Sequence, residues 1–200
     1  MKPFETTNRE DVIPLLQEGK IGVMPTDTVY GLVSQARDPN VVDRLYAIKG
    51  RGNKPVIVLI ASSHDITNFG IELNQTIEKQ LKQYWPGPVS IILPLDPNLY
   101  THLHQGVGSL AFRVPNDPAL QKLLQQTGPL VATSANKEAQ PTATTIEEAQ
   151  TYFGDEVDFY VDGGAQPSPA STLIRLTRNG IEVLRPGQGA AESRTQDQPA

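Results

Sequence analysis

The stretch KIGVMPTDTVYGL, residues 20–32, joins a run of apolar residues to a dense group of polar ones. Residues 20–24 have the composition of a buried β-strand. Pro25 ends that run, and four polar residues follow within five positions: Thr26, Asp27, Thr28 and Tyr30. A turn needs only one or two such residues, whereas a site at the carboxyl end of a strand can use all four. The stretch therefore predicts a strand of a sheet and a site at its end.

Helix and strand patterns alternate on both sides of this stretch. Asp38 and Pro39 are typical of a helix start, because a carboxylate caps the helix and proline suits its first turn. The predicted helices cover 9–19, 39–50, 75–85, 117–128 and 144–154. The further predicted strands cover 55–60, 88–95, 109–115, 128–134, 157–164, 171–176 and 181–187. This mixture predicts an α/β fold with an open twisted mixed sheet and flanking helices.

Length and composition limit the class of protein. We expect one domain over residues 1–190 and a flexible polar tail over 191–200. The formal net charge of −5 argues against a protein that mainly binds phosphate backbones, and the absence of cysteine excludes thiolate chemistry. No run approaches ~18 apolar residues, and the first residues lack the apolar segment of a signal peptide. We therefore expect a cytoplasmic protein without a membrane partner.

Polar groups recur where predicted strands and one helix end. In open α/β sheets, ligands bind beyond the carboxyl ends of strands, so these groups are expected to converge. They comprise several hydroxyl groups and four cations: Lys49, Arg51, Arg113 and Arg185. Cations combined with hydroxyls favour an anionic, hydrogen-bonding ligand such as a nucleotide or an amino acid.

Each group also has a purely structural explanation. Lys49 lies where positive charge favours a helix C-terminus, Ser134 and Asn136 are common turn residues, and Tyr30 suits a core. Arg113 lies in an apolar strand pattern, where a guanidinium needs a partner. The pair of histidines in HLH, 102–104, lacks a third metal ligand nearby, and no P-loop is present.

Seven motifs in order resemble the YrdC-like threonylcarbamoyl-AMP synthases over about residues 8–190. The motifs are PTDTVYGL, IKGR…KP, WPGPVSIIL, FRVP, TSAN…PT, DGG…STLI and LRPG. The resemblance implies a single-domain α/β protein whose open twisted sheet surrounds a large concave, positive cleft. It implies a nucleotidyltransferase that condenses L-threonine, bicarbonate and ATP to threonylcarbamoyl-AMP and pyrophosphate. It also implies hand-over of the product to a tRNA threonylcarbamoyl transferase, with little or no direct RNA binding.

The resemblance also assigns roles to individual residues. Catalysis at the ATP phosphates falls to Lys49 and Arg51. Threonine binding falls to Thr26, Thr28, Tyr30, Ser109, Arg113 and Ser171, with Arg113 holding the carboxylate. Nucleotide binding falls to Lys49, Arg51, Ser134, Asn136, Thr142 and Arg185. ATP is the expected cosubstrate and Mg²⁺ its expected companion, because fixed cations stabilise the departing pyrophosphate.

Three segments depart from the family pattern and keep alternatives open. They are 52–54, 137–140, where the usual Ser-Gly is missing, and 165–170. One alternative is a divergent paralogue that binds nucleotide or RNA without this activity. Another is an RNA-binding module, which the acidic net charge disfavours.

Overall fold

One mixed sheet of eleven strands organises the chain. The computed structural model describes residues 2–50, 52, 54–177, 180–191 and 194–195, the last pair as backbone only. The strands are β1 Phe4–Thr6, β2 Gly22–Pro25, β3 Tyr30–Gln35, β4 Ile57–Leu59, β5 Val89–Pro94, β6 Ser109–Arg113, β7 Leu130–Ser134, β8 Phe159–Val161, β9 Thr172–Thr177, β10 Gly180–Arg185 and β11 Arg194–Thr195. Their spatial order is β1-β8-β2-β3-β7-β4-β6-β5-β9-β10-β11. The predicted fold class is confirmed.

Helices cover both faces of this sheet. They are α1 Ile13–Gln17, α2 Pro39–Lys49, α3 Gln75–Leu81, α4 Thr101–His104, α5 Pro118–Thr127 and α6 Ile146–Phe153. One core unites α1 and α5 with the sheet through residues such as Leu16 and Leu124. A larger core on the other face includes residues of α2, α3, α4 and α6, such as Leu45, Leu81 and Phe153. No helix of the described residues is long and apolar enough to cross a membrane.

The opening stretch is a hairpin turn as well as a strand end. Pro25 of β2 faces Tyr30 of β3 in an antiparallel ladder, and the Thr26 amide donates to the Val29 carbonyl at 3.1 Å. Tyr30 therefore begins a strand, which the sequence analysis did not predict. The polar residues before it connect two strands and still point at a site, as shown below.

Several predicted elements are shorter than the sequence suggested. The helix predicted over 9–19 is a 3₁₀ helix, Arg9–Val12, followed by α1. Pro14 explains this break, because proline lacks an N–H and fits only the first turn of an α-helix. The predicted tail over 191–200 lies largely outside the described residues, so the division into a domain and a tail stays a prediction.

One face of the sheet carries a row of two alanines and two isoleucines near its middle. A single row crosses β7, β4, β6 and β5 through Ala132, Ile57, Ala111 and Ile92. Ile57 and Ile92 are only partly buried, so helices do not fully cover this row. Ala132 and Ile57 of this row line the cavity described below.

Asp117 joins the start of α5 to the N-terminal segment, and it makes stability depend on pH. Its carboxylate accepts from the Leu120 amide at 3.0 Å and pairs with Arg9. Burial alone would raise the pKa of Asp117, but these hydrogen bonds outweigh it and hold the pKa below its usual value. A lowered pKa in the folded state stabilises the protein above the unfolded pKa of ~3.9, and this contribution is lost as pH falls through the folded value.

We expect Asp117→Asn to lower the free energy of unfolding by about 1 kcal/mol at neutral pH, since the cap remains but the ion pair is lost. The difference from the wild type should shrink as pH falls below 4, because the wild-type carboxyl then becomes neutral. Urea unfolding at a series of pH values measures both. A difference that stays constant down to pH 2 would show that the charge of Asp117 contributes nothing.

Candidate active site

A cavity of about 180 Å³ lies between the 25–30 hairpin, the ends of β6 and β7, and the start of β9. It is smaller than the ~300–1,000 Å³ typical of sites for drug-sized ligands. The predicted site residues that line it are Thr26, Thr28, Arg113, Ser134, Thr142, Ser171 and Arg185. The structure thus brings together residues from segments far apart in sequence. The large concave cleft implied by the resemblance stays a prediction.

Thr26 fixes the hairpin that forms one wall. Its hydroxyl donates to the Val29 carbonyl at 2.7 Å and accepts from the amides of Thr28 and Val29 at 3.3 Å. Gly31 lies beside it, where a Cβ would approach the Thr26 methyl to 3.1 Å. The hydrogen bonds of Thr26 therefore fix the turn, and Gly31 allows the turn to pack close to the sheet.

Arg113 is the buried cation of the cavity. It ends β6, and only 5% of its side chain is exposed. Its Nη2 lies 3.1 Å from Asp27 Oδ1 and 3.5 Å from Thr26 Oγ1, whereas its Nε has no hydrogen-bond partner among the described residues. Burial lowers the pKa of Arg113, Asp27 opposes this effect, and nearby Arg185 lowers it further. A buried guanidinium with an unused donor is suited to a carboxylate ligand.

Asp27 is the buried partner of Arg113, and no role was predicted for it from the sequence. Its Oδ2 accepts from the Asn116 amide at 3.1 Å, and Oδ1 faces Arg113 without the alignment of a hydrogen bond. Only 4% of its side chain is exposed. Asp27 therefore provides the charge that makes a buried Arg113 tolerable. In the sequence, the sign of this role was its position between Thr26 and Thr28, which line the cavity.

Arg185 and Ser171 form the opposite wall. Arg185 Nη2 donates to the Ser171 carbonyl at 2.9 Å and lies 3.5 Å from Ser171 Oγ. Gly187 permits this close approach, because a Cβ there would lie 2.2 Å from the Ala170 carbonyl oxygen. Ala170, the last residue of the divergent 165–170 segment, also lines the cavity. The end of β10 is thus packed directly onto the residues that precede β9.

Lys49 organises the loop that follows β7. Its ammonium group donates to the Ser134 carbonyl at 2.5 Å, and to the carbonyl and Oδ1 of Asn136 at 2.7 Å each. The residue is only 3% exposed. Lys49, Ser134 and Asn136 are therefore in direct contact, as a shared role requires. Lys49 and Asn136 do not line the cavity itself, and Arg51 lies outside the described residues.

The divergent loop 137–140 is anchored on two sides. Lys137 donates to the Ile48 carbonyl and to Glu156, both at 2.8 Å. Glu138 pairs with Lys54 and accepts from the Gly52 amide, so the divergent segments 52–54 and 137–140 contact each other. Ala139 has a φ of 65°, a conformation that favours the glycine of the family pattern. Ion pairs here hold a loop shape that glycine would adopt freely.

Two predicted threonine-binding residues do not line the cavity. The Tyr30 hydroxyl donates to the Gly164 carbonyl at 2.8 Å and accepts from the Gly163 amide at 2.9 Å, so it holds the turn after β8. Ser109 begins β6 on the same face as Arg113, four residues or roughly 13 Å away at ~3.3 Å per residue. It lies beyond Ala111 on the same face of β6. Both assignments stay predictions.

The structure provides no metal site from the chain itself among the residues it describes. No three side chains of the metal-binding types cluster in that part of the chain. His102 Nε2 contacts the Ala36 carbonyl at 3.0 Å, and His104 Nε2 contacts the Leu99 carbonyl at 3.1 Å. The HLH pair is therefore occupied by backbone groups.

The mixed sheet and the cavity lined by cations and hydroxyls define an α/β protein with a candidate site for a small anionic ligand. Residues 14–187 match the model of the Sua5/YciO/YrdC family, which carries the description "Telomere recombination". The chain belongs to this family.

Two relatives of known name extend this finding. The chain is 35% identical over 179 residues to a putative threonylcarbamoyl-AMP synthase of Mycobacterium tuberculosis, covering 88% of this chain and 82% of the relative. It is 30% identical over 184 residues to the threonylcarbamoyl-AMP synthase of Vibrio campbellii, covering 90% and 99%.

Solved structures of the same fold support the family assignment. Pyrococcus abyssi Sua5 complexed with L-threonine has a TM-score of 0.83 and 30% identity, covering 94% of this chain and 58% of the Sua5 chain. This chain therefore spans somewhat more than half the length of that Sua5 chain. Escherichia coli YciO, at 23% identity, has a TM-score of 0.81 and covers 95% of this chain, which shows the shared fold alone.

Proposed function

We propose that this chain is a threonylcarbamoyl-AMP synthase, a nucleotidyltransferase that condenses L-threonine, bicarbonate and ATP. The observation that carries the proposal is the meeting of Arg113, Arg185, Ser171 and Thr26 in one small cavity. Family membership and relatives named for this activity support it. The same support favours it over a paralogue that binds nucleotide or RNA without the reaction.

The reaction has two steps that both depend on position. The neutral amine of threonine attacks the carbon of bicarbonate, a C–N bond forms, and water leaves to give a carbamate. A carbamate oxygen then attacks the α-phosphorus of ATP, and the bond to pyrophosphate breaks. Because the carbamate decomposes in water, holding the reactants close in a small cavity supplies much of the rate.

The residues divide between the two substrates. Arg113, with its buried unused donor, holds the carboxylate of threonine against the hairpin wall. Ser134, Asn136 and Lys49 form one hydrogen-bonded unit that shapes the nucleotide end. Arg51 keeps its proposed role at the ATP phosphates, and Ser109 keeps its proposed role in threonine binding.

Mg²⁺ would enter with ATP. No carboxylate lines the cavity among the described residues, and Asp27, which pairs with Arg113, already accepts from the Asn116 amide. This arrangement does not fit a metal held by the protein. Mg²⁺ is commonly bound through substrate phosphates with few protein ligands. The proposal therefore assigns no residue to it.

The product would pass to a tRNA threonylcarbamoyl transferase in the cytoplasm. A net charge of −5 argues that this chain binds RNA weakly or not at all, since affinity for RNA depends on neutralising phosphates with cations. Hand-over of the adenylate to the transferase is therefore favoured over direct action on tRNA.

Pyrophosphate release from the purified protein tests the function. Release should require ATP, bicarbonate and L-threonine together, and L-valine should not replace L-threonine. Omission of each component in turn is the control. Binding of ATP without threonine-dependent release would instead identify a divergent paralogue.

A further inference from the structure

Ser90 is a buried hydroxyl in contact with the wall of the cavity, and neither the motifs nor the proposed mechanism assigns it a role. It lies in β5 and is fully buried. Its Oγ is 2.9 Å from Ser171 Oγ. Ser171 is only 1% exposed and lines the cavity, whereas Ser90 does not line it. Ser90 therefore reaches a ligand only through Ser171.

The backbone holds the two hydroxyls in register. Ser90 pairs with Leu173 in the parallel ladder of β5 and β9. The Thr172 amide donates to the Pro88 carbonyl at 3.0 Å, and the Trp85 indole donates to the Val89 carbonyl at 2.7 Å. The Thr172–Pro88 bond and the Ser90–Leu173 pair tie β5 to β9 beside the two serines, so the pairing of the strands sets their separation.

One of the two hydroxyl protons of Ser90 and Ser171 is not used in the hydrogen bond between them. Two hydroxyls carry two protons, and only one is used in the bond between them. If Ser171 donated, the Ser90 proton would be buried with no recorded acceptor among the described residues, which is costly. If Ser90 donates, the remaining proton belongs to Ser171, which borders the cavity. The second arrangement avoids a buried unsatisfied donor.

Arg185 favours the same arrangement. Its Nη2 lies 3.5 Å from Ser171 Oγ, and a guanidinium can only donate. With Arg185 and Ser90 both directed at its lone pairs, the Ser171 oxygen is an acceptor towards the protein. Its own O–H is then left to donate into the cavity.

We propose that Ser90 is a positioning residue that orients the Ser171 hydroxyl as a hydrogen-bond donor to the amino-acid substrate. This inference rests on the proposed function, because it takes the ligand beside Ser171 to be L-threonine. It predicts that removing the Ser90 hydroxyl weakens threonine binding while the chemistry and the binding of ATP remain intact.

Steady-state kinetics of Ser90→Ala test this. We expect the KM for L-threonine to rise about tenfold, while kcat and the KM for ATP change less than twofold, because an interaction made equally in ground and transition states affects KM alone. Calorimetric titration with L-threonine should show the same tenfold weakening. In a Ser171→Ala background, adding Ser90→Ala should have no further effect, because Ser90 acts through Ser171.

Ser34→Ala is the matched control. Ser34 is also a fully buried serine of the sheet, in β3, and it does not line the cavity. Its removal should leave the KM for threonine unchanged, and melting temperatures of both variants show whether packing alone is affected. Equal threonine affinity in Ser90→Ala and the wild type, or additive effects of Ser90→Ala and Ser171→Ala, would overturn the inference.

The two proposals fail in distinguishable ways. If the wild type binds L-threonine but releases no pyrophosphate, the proposed function fails and the titration of Ser90→Ala still decides the role of Ser90. If the wild type does not bind L-threonine, both are wrong.

Discussion

Arg113→Ala is expected to lower threonine- and bicarbonate-dependent pyrophosphate release at least ~30-fold. The variant removes the buried guanidinium whose free Nε faces no protein acceptor in the described structure. Losing one partner of a buried charged hydrogen bond costs ~2–5 kcal/mol, and each ~1.4 kcal/mol is tenfold. The measurement is kcat/KM for L-threonine together with calorimetric binding of L-threonine.

Stability must be separated from binding in this experiment. Arg113→Ala leaves Asp27 buried without its cation, which costs roughly 3–5 kcal/mol of stability. The double variant Arg113→Ala/Asp27→Asn removes the stranded charge and should recover part of the melting temperature without recovering threonine binding. A folded Arg113→Ala protein with the threonine affinity of the wild type would refute the assigned role.

Arg113→Lys adds a finer comparison. Lysine keeps the charge but lacks the planar fork that can contact a carboxylate with two parallel bonds. We expect its threonine affinity to lie between those of the wild type and Arg113→Ala. This order separates a need for charge from a need for geometry.

Lys49→Met is expected to lower the free energy of unfolding by about 3 kcal/mol, since hydrogen bonds to charged groups contribute ~1.5–3 kcal/mol each. The ammonium group holds the carbonyls of Ser134 and Asn136 and the Asn136 side chain in one place. For a domain of this size, 3 kcal/mol corresponds to a fall of roughly 6–12 °C in melting temperature. Pyrophosphate release should become undetectable because the loop shapes the nucleotide end.

Lys79→Met provides the control for this substitution. Lys79 lies on α3 and is exposed, so the same chemical change should alter the melting temperature by less than ~2 °C. A Lys49→Met protein with wild-type stability and activity would contradict the role of Lys49 as an organiser of the loop.

Local signals explain which elements the sequence could predict. Asp38 caps α2, Pro39 begins it, and Gly50 ends it in a left-handed conformation, so its bounds were clear. In contrast, β3 contains Gly31 and Ser34, and it exists because β2 and β7 pair with it on both sides. Such tertiary pairing overrides weak local propensity. The edge strand β1 is short and mostly exposed, and it gave no apolar pattern.

The same division applies to the site. Residues with a motif and a charge or hydroxyl at a strand end, such as Arg113 and Ser171, were predicted and do line the cavity. Asp27 and Ser90 were not assigned, because they act on those residues and not at the surface of the cavity. The contact of Ser90 with Ser171 spans 81 positions of sequence and follows from the β5–β9 register alone. Sequence spacing contains no sign of it.

The positions of the cavity walls have a consequence for synthesis of the protein. Thr26 belongs to an early hairpin, whereas Arg185 ends the tenth strand. Strand β9, which follows Ser171, pairs with β5 in the interior of the sheet. The wall formed by Ser171 and Arg185 is therefore synthesised long after the hairpin wall. A nascent chain on the ribosome thus has no complete cavity until Arg185 has emerged and β9 has docked. Binding competence therefore arrives only once these late strands have joined the sheet.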